Sequence, residues 1–417
     1  MNQNDRAYYL DWIRIGVILL LVPYHSAITF ALRGDTFIRY PQTMPAVSTA
    51  MWFLSIWIMP VLFVVSGAAS CYALQHRTPK EYARERRTKL LVPLIGGTLL
   101  VCAPMSYLGA LFTGTFHGNI LQFYPVFFTS GPYPRGNFTW AHLWFLSYLY
   151  VFTLILRPLF VRVIREQTGA RLAAASSILE KGLWIYLIAI PSIFTETLLR
   201  PFFHGQQNLV WDWANFTLYL VLFFYGFLFA VNDRILDNIE RIRMFSLFLG
   251  ASLFVAAAGL GFEKNLGRLV PAYHALMVFA WVFAVLGYAR RFLNRQGYLY
   301  LYLSNASFPF YIFHLLPITV GAFFIARGDL NVWLKYLIIV LLAYPCTFAL
   351  CEIVARIPGI GFIFGVKQGP ARLNQSSYGT DIYPGDVPPH PLRVNNKRQA
   401  ARIHDQEEKK YGYPEHL

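Results

Sequence analysis

The sequence is poor in charge. Only 14% of its 417 residues are Asp, Glu, Lys or Arg, whereas 56% are hydrophobic, and the mean hydropathy is +0.43. A soluble domain of this length typically carries about a quarter charged residues. The apolar residues come in runs of about twenty, the length that a helix needs to cross a bilayer core. This composition excludes an ordinary soluble domain and predicts an all-α, polytopic membrane helix bundle.

Cysteine is scarce, and its spacing excludes two kinds of site. The chain has only Cys71, Cys102, Cys346 and Cys351, which fit neither a metal-ligand pattern nor a disulfide framework. We therefore expect them to be small core residues. Walker-type loops, H-E-x-x-H, G-x-S-x-G and dinucleotide-binding glycine motifs are also missing from any credible context. We expect no metal and no bound cofactor, so His, Arg and polar groups within the bundle must carry the chemistry.

Acidic residues are outnumbered, with 21 Asp and Glu against 36 Lys and Arg and a net charge of +15. In a soluble protein this balance would suggest nucleic acid. Membrane proteins instead concentrate Lys and Arg in cytoplasmic loops. We therefore expect the lipid bilayer as surroundings and no nucleic acid partner, although a basic cytoplasmic face also attracts anionic substrates.

About ten apolar segments are long enough to span a membrane. The Arg-rich loops follow the even-numbered segments, so the positive-inside rule places both termini in the cytoplasm. Residues 1–366 form the predicted membrane domain, the first segment being a retained helix, and residues 367–417 a polar, disordered cytoplasmic tail. The long outer loop, roughly 113–142, is interpreted as either a lid or a tether. The predicted segments are roughly 13–32, 49–72, 90–112, 143–161, 182–199, 214–231, 245–262, 272–289, 299–325 and 333–355.

The first apolar segment carries a polar stripe, in the stretch "LDWIRIGVILLLVPYH". Arg14 and His25 are eleven residues apart, which puts them about 20° apart in direction and roughly 16 Å apart along a helix. Asp11 lies one turn before Arg14. Arg14 is either a snorkelling anchor paired with Asp11 or part of a site. His25, near mid-membrane, has few structural explanations, and neutral imidazole can accept a proton as a general base.

A second polar group lies in the ninth segment, "LSNASFPFYIFHLLP", where Pro309 and Pro317 predict a tilt or kink. Its polar residues either hold helices together or serve the site. In the second case His314 binds an acceptor or orients another catalytic group. The members of this group are Ser304, Asn305, Ser307, Tyr311 and His314.

Two further stretches hold candidate binding residues. The run "YARERRTKLLVP", from Tyr82 to Pro93, lies at the predicted cytoplasmic mouth of the third segment. Its cations, Arg84, Arg86, Arg87 and Lys89, either clamp phosphates or anchor the helix against anionic lipid. Trp144, in "AHLWFLSYLY", is by default an interfacial belt aromatic and otherwise an acceptor-binding candidate.

These landmarks together resemble the membrane acyltransferase 3 family. The resemblance covers about residues 8 to 367 and is carried, in serial order, by "LDWIR" followed after ten residues by His25, "LFVVSGAAS", the basic run before Pro93, "HLWFL", "NASFPFYIFH" and "CEIVARIPGIGFIFG". The second and last landmarks most resemble a branch thought to add succinyl groups to periplasmic glucans.

The resemblance implies about ten core helices in a bacterial inner membrane, a cytoplasmic acyl-CoA co-substrate, and an acceptor acylated at the other face. The family's essential first-helix histidine and arginine fall on His25 and Arg14. Its Arg-x-x-Arg motif falls on Arg86 and Lys89 when it is aligned on the following proline. Arg84 and Arg87 also show the literal spacing. The implied acceptor is a carbohydrate such as a periplasmic glucan.

The predicted function is therefore O-acyl transfer of an acetyl- or succinyl-type group to a carbohydrate hydroxyl. In this hypothesis His25 is the base, Arg86, Arg87 and Lys89 lie near the phosphates of acyl-CoA, and Asn305, Ser307 or Tyr311 stabilises the oxyanion. A transient acyl-His25 is the alternative chemistry. The alternative function is a proton-coupled transporter of a small anionic or sugar-like solute, since intramembrane His and Arg also fit a carrier.

Overall fold

The structure is a computed structural model, and it describes residues 7–32, 34–133, 135–165, 169–203, 205, 207–261, 266–325, 328–357 and 359–365. The helices, counting 3-10 and π turns with the helix that they continue, are α1 Tyr8–Ile28, α2 Pro45–His76, α3 Pro79–Thr113, α4 Ile120–Thr129, α5 Ala141–Arg165, α6 Gly169–Ala175, α7 Gly182–Leu199, α8 Trp213–Val231, α9 Asp233–Arg241, α10 Arg243–Leu260, α11 Gly267–Phe292, α12 Tyr298–Phe313, α13 Leu315–Ile325, α14 Val332–Arg356 and α15 Ile360–Ile363.

The described part of the chain confirms the predicted fold class. Nine of its helices are long and apolar enough to cross a membrane, and α12 with α13 makes a tenth span if the bent pair is counted as one. In the same described residues the one extended pairing is an isolated bridge between Pro132 and Phe138. Which side of the membrane each end faces stays a prediction from loop charge. The predicted tail, 367–417, lies outside the described residues.

The ninth predicted segment is bent, as its prolines indicated. The axes of α12 and α13 differ by 48°, and His314 is the residue between them. Pro309 and Pro317 flank the break. A proline removes a helical N–H donor and its ring clashes with the preceding turn, so the bend falls between the two prolines and places a polar side chain at the break.

Helix α1 lies at the centre of the bundle. It packs against α2 and α11, and also against α12, α13 and α14. Two glycines set the closest approach elsewhere: the Cα of Gly67 on α2 lies against the Phe223 carbonyl of α8, and Gly226 lies against the Val64 carbonyl. Small residues let membrane helices approach at the backbone, where van der Waals packing holds them together. The bundle is thus built around α1 and fastened by the α2–α8 contact.

Helix α3 contains two π-helical segments, Arg87–Leu91 and Thr98–Cys102. The second segment supports the loop that leads into α5. Cys102 lies with its sulfur 3.3 Å from the Trp140 carbonyl oxygen, and Tyr124 of α4 donates to the Leu99 carbonyl at 2.8 Å. Such π segments are frequent at functional sites. Here this one supports the residues directly before the start of α5.

The cysteine expectation is partly wrong. Cys71, Cys102 and Cys351 are buried, but Cys346 is exposed on α14. Helix α14 lies at the periphery, and many of its apolar residues face outward. A small apolar residue therefore fits its lipid-facing side as well as a core.

Candidate active site

Three histidines from distant parts of the chain meet inside the bundle. The ring centroids of His25 and His314 are 5.2 Å apart, those of His142 and His314 4.9 Å, and those of His25 and His142 6.4 Å. His25 lies on α1, His142 in the first turn of α5, and His314 at the break between α12 and α13. His142 is only 6% exposed and His314 is fully buried. The histidine cluster is therefore a tertiary feature that needs three separate helical segments.

Hydrogen bonds to carbonyl oxygens fix the tautomers of two of these rings. His142 Nε2 lies 2.9 Å from the Ile312 carbonyl, and His314 Nδ1 lies 2.7 Å from the Tyr311 carbonyl. A carbonyl only accepts, so both of these ring nitrogens donate. In the neutral rings the other nitrogens, His142 Nδ1 and His314 Nε2, are then bare acceptors. Both are buried and lack a partner among the described residues. Bare buried acceptors are rare and indicate a place for a donor.

His25 differs from the other two histidines. Its ring is partly exposed and packs edge-on against Tyr24 at 5.2 Å. Within the described residues neither of its ring nitrogens has a hydrogen-bond partner. His25 is thus the least constrained member of the cluster, as a group that exchanges a proton with a substrate requires.

A cavity of about 970 Å³ reaches the cluster. His25 and His142 both line it, together with the α1 end that lies away from Arg14, the first half of α2, and the loops before α5 and α8. The predicted outer loop 113–142 contributes Tyr133, Arg135 and Phe138 to its wall. The cavity therefore connects one end of the bundle with the two histidines.

Aromatic side chains form much of the cavity wall. Trp144 packs against Tyr219 with 5.5 Å between ring centroids, and Trp140 lies nearby in the wall. Trp144 is 6% exposed, so the default interpretation as an interfacial belt residue is wrong. The first turn of α5 is thus inside the bundle. The wall combines flat aromatic faces with polar groups, as ligand sites do.

Two strained backbone positions border the cavity. Among the described residues, positive φ outside glycine occurs at Ala141, at 43°, and at Gln207, at 53°. Ala141 directly precedes His142, and the indole of Trp140 donates to the Gln207 carbonyl at 3.0 Å. Non-glycine residues adopt this conformation only when their surroundings require it, and such strain clusters at functional sites. Here the strained residue Ala141 forms the turn that places His142 in the first turn of α5.

The loop carrying Gln207 is held by a buried carboxyl group. Asp212 accepts hydrogen bonds from the Tyr148 hydroxyl at 2.6 Å and from the Gln207 amide at 2.9 Å. Burial raises the pKa of the Asp212 carboxyl above its ordinary value, and these hydrogen bonds act in the opposite direction. The network joins α5 to the start of α8 behind the aromatic wall.

Arg14 lies at the other end of α1. It forms an ion pair with Asp11 at 2.5 Å, and Asp11 also accepts a hydrogen bond from Tyr300 at 2.6 Å. The predicted pairing of Arg14 with Asp11 is therefore confirmed. One guanidinium nitrogen, Nε, is buried and has no hydrogen-bond partner among the described residues. The structure thus separates Arg14 from the cluster and puts it near the end that faces away from the cavity.

The basic run divides into paired and unpaired cations. Lys89 bonds Glu85 at 2.6 Å, and Arg77 bonds the same carboxylate at 2.8 Å. Arg86 is half-buried, lies over the Tyr82 ring at 4.8 Å, and keeps a buried Nε without a partner in the described part of the chain. The other two cations, Arg84 and Arg87, are exposed. The run contains the first π segment of α3, and Arg86 is the most enclosed of its four cations.

The other polar residues of α12 lie at different distances from the cluster. Tyr311 packs 5.6 Å from His142, and its hydroxyl donates to the His142 carbonyl. Ser307 is buried but donates within its own helix to Ser304. Asn305 is exposed and donates to Leu301. Tyr311 is thus part of the histidine cluster's support, while the oxyanion role of all three residues stays a prediction.

Among the described residues, no group of three or more His, Cys, Asp or Glu side chains could hold a metal ion. This includes the histidine cluster, where two rings direct a nitrogen to a backbone carbonyl.

Sequence reasoning missed His142. The stretch "AHLWFLSYLY" contains it, but the sequence pattern indicates only Trp144 as a candidate there. A histidine at the first turn of a membrane segment reads as interfacial. One signal could have identified it: like His25 and His314, His142 lies within or directly beside an apolar run, where ionisable side chains are rare.

Comparisons with known proteins agree along nearly the whole chain. A family model described as "Acyltransferase domain" matches residues 7–352. Glucans biosynthesis protein C of Salmonella heidelberg (strain SL476) is 23% identical over 396 residues, which cover 90% of this chain and 98% of that protein. The protein of the same name from Salmonella schwarzengrund (strain CVM19633) is 24% identical over the same coverage. No solved structure matches the chain.

Proposed function

The chain belongs to the acyltransferase family whose model matches residues 7–352, and from this premise we propose that it transfers an acyl group from acyl-CoA to a carbohydrate hydroxyl. The donor enters from the cytoplasm, the acceptor is met at the other face of a bacterial inner membrane, and the acyl group is of acetyl or succinyl type. The single observation that carries the proposal is the histidine cluster at the inner end of a cavity.

The acceptor side of the proposal rests on the cavity and on the relatives. Glucans biosynthesis protein C is named for glucan biosynthesis. The wall around Trp140, Trp144 and Tyr219 offers aromatic faces, which pack well against the apolar faces of sugar rings, while polar groups among them fix orientation. A volume of about 970 Å³ accommodates more than one sugar unit.

The donor side rests on the opposite end of the bundle. Arg86 is enclosed and has an unpartnered guanidinium nitrogen, and Arg84 and Arg87 are exposed beside it. Planar guanidinium groups bind phosphates with two parallel hydrogen bonds. Arg14 lies on the same helix as His25, about 16 Å away along the axis. That separation is of the order that the extended thiol arm of CoA must cross.

The proposed step is a direct transfer. His25 takes the proton of the acceptor hydroxyl as that oxygen bonds to the acyl carbon; the carbon–sulfur bond then breaks, and the proton goes to the CoA thiolate. His314 orients the base. Two ring radii of about 1.1 Å and an N–H···N distance of about 2.9 Å add to roughly 5.1 Å, against the 5.2 Å between the His25 and His314 centroids. The centroid distance therefore fits a hydrogen bond from the N–H of a rotated His25 ring to the bare Nε2 of His314.

The test is transfer by purified protein in lipid vesicles, with radiolabelled acetyl-CoA or succinyl-CoA on one side and glucan oligosaccharides on the other. The expected result is labelled ester on the oligosaccharide. Movement of oligosaccharide or acyl donor across the membrane without any ester would overturn the enzyme and support the transporter. Rapid quench without acceptor separates the two chemistries, since label trapped on His25 would replace direct transfer with an acyl-His25 intermediate.

A further inference from the structure

We propose that His142 binds a second hydroxyl of the acceptor, adjacent to the hydroxyl that is acylated. This inference rests on the proposed function and adds a residue that determines acceptor specificity. It requires that the enzyme prefer a sugar with a hydroxyl next to the one that is acylated over a sugar that lacks this adjacent hydroxyl.

The first argument is the tautomer of His142. Its Nε2 donates to the Ile312 carbonyl, so the neutral ring leaves Nδ1 as an acceptor. This nitrogen is buried, has no partner among the described residues, and belongs to a side chain that lines the cavity. Only a donor can satisfy this acceptor, and a hydroxyl of a sugar that packs against the His142 ring is such a donor.

The second argument is the spacing to His25. The two ring centroids are 6.4 Å apart, and subtracting two ring radii of about 1.1 Å gives a shortest possible separation of roughly 4 Å between a nitrogen of one ring and a nitrogen of the other. Neighbouring hydroxyl oxygens on a sugar ring are about 3 Å apart, and each donates over about 2.8 Å. Two adjacent hydroxyls therefore span the two rings, one donating to each.

The third argument is proton count. A hydroxyl has one proton, so the group that gives its proton to His25 has none left for His142. The hydroxyl at His142 keeps its proton throughout: only the reacting oxygen bonds to the acyl carbon, and only its proton passes through His25 to the leaving thiolate. His142 therefore acts in recognition of the acceptor, beside the proton transfer.

The strong backbone support of His142 fits this role. Ala141 holds a strained conformation directly before it, and Tyr311 donates to its carbonyl. Specificity for a hydroxyl needs a fixed acceptor, because a buried acceptor that is left unpaired by an analogue is penalised. For one hydrogen bond this amounts to a loss of about 10- to 100-fold in kcat/KM.

The experiment combines enzyme variants with acceptor analogues. The acceptors are methyl β-D-glucopyranoside and its monodeoxy analogues, with labelled acetyl-CoA or succinyl-CoA and with the acylated position read by mass spectrometry. In His142→Gln the side-chain amide can still donate to the Ile312 carbonyl, but nothing replaces Nδ1. In His142→Asn an amide oxygen lies near the Nδ1 position, and the bond to Ile312 is lost.

We expect the effects of substituting His142 and of removing the neighbouring hydroxyl to be non-additive. The wild type loses about 10- to 100-fold in kcat/KM when the neighbouring hydroxyl is removed. His142→Gln loses a similar factor on the full acceptor, shows no further loss on that deoxy analogue, and keeps the wild-type melting temperature. His142→Asn keeps part of the preference despite a lower melting temperature.

Several outcomes would overturn the inference. Wild-type rates in His142→Gln would make His142 purely structural. An equal fall on the full and the deoxy acceptor would remove the specificity role. Equal kcat/KM of the wild type for the full acceptor and for every deoxy analogue would also remove the specificity role. This measurement needs no variant. If the wild type esterifies no carbohydrate at all, glucan oligosaccharides included, the proposed function and this inference both fail.

Discussion

His142 donates its Nε2 proton to the carbonyl oxygen of Ile312, two residues before His314. The bond joins the first turn of α5 to the last turn of α12, just before the helix breaks. The positions of two of the three clustered histidines therefore depend on each other. A change at the break moves His142, and a change at the start of α5 moves His314.

We expect His25→Ala to abolish acyl transfer while leaving folding and membrane insertion intact. The ring is partly exposed and holds no hydrogen bond within the described residues, so its removal leaves no partner unpaired. Loss of a general base lowers kcat by roughly 100- to 10,000-fold. Ester formation and the melting temperature are measured together. His117→Ala, at an exposed histidine outside the cavity lining, is the control and keeps wild-type values. Near-normal turnover of His25→Ala would show that another group is the base.

Two substitutions at His314 separate its two ring nitrogens. An asparagine amide can still donate to the Tyr311 carbonyl but removes the acceptor at Nε2. We expect His314→Asn to keep its melting temperature and to lower kcat by roughly 10- to 100-fold, with an unchanged KM for acyl-CoA, because only the orientation of His25 is lost. His314→Gln keeps an acceptor near Nε2 and should retain more activity at lower stability. The reverse order of activities would show that His314 serves only the helix break.

Arg86→Ala should weaken donor binding. Arg86 is enclosed and has an unpartnered nitrogen, whereas Lys89 is already bonded to Glu85. We expect KM for acyl-CoA to rise about 10-fold with little change in kcat, since a charge-assisted bond to phosphate contributes to binding in both ground and transition states. Arg241→Ala, at an exposed cation on α9, is the matched control. An unchanged KM in Arg86→Ala would count against the phosphate clamp, and an equal effect of Arg241→Ala would reduce it to general surface charge.

Gly67→Ala should destabilise the bundle. A Cβ atom at this position would overlap the Phe223 carbonyl of α8, and the backbone of two packed helices would have to separate. Overpacking of this kind costs about 1–3 kcal/mol, or more where backbone must shift. Gly16→Ala meets nothing within 4 Å and replaces a weak helix former with a strong one, so its melting temperature should match or exceed the wild type. Equal melting temperatures for both variants would show that α2 and α8 are not held at this distance.

Local periodicity was enough to predict α1. The eleven-residue spacing of Arg14 and His25 defines one helix face whatever surrounds it, and the ion pair of Arg14 with Asp11 follows from a three-residue spacing. The bend of the ninth segment was also predictable, because Pro309 and Pro317 act on their own helix. Features that depend on one helix alone were therefore accessible from the sequence.

The meeting of three helices was not accessible in the same way. His142 and Ile312 are 170 residues apart, and nothing in either segment specifies that contact. Trp144 illustrates the same limit, since an aromatic residue at the start of a span reads as interfacial until a neighbouring helix covers it. The strained conformation of Ala141 is likewise imposed by the assembled loop and not by alanine itself.

In the proposed function, the histidine cluster also sets the moment at which activity can arise during synthesis. Positions 25, 142 and 314 leave the ribosome far apart in time, and the last of them lies between the ninth and tenth of the eleven helices and half-helices that make up the possible spans in the described residues. Until α12 and α13 have been inserted and have docked against α1 and α5, the earlier segments hold an incomplete centre. A chain arrested before position 314 would be a membrane protein in which His25 and His142 lack the third member of the cluster.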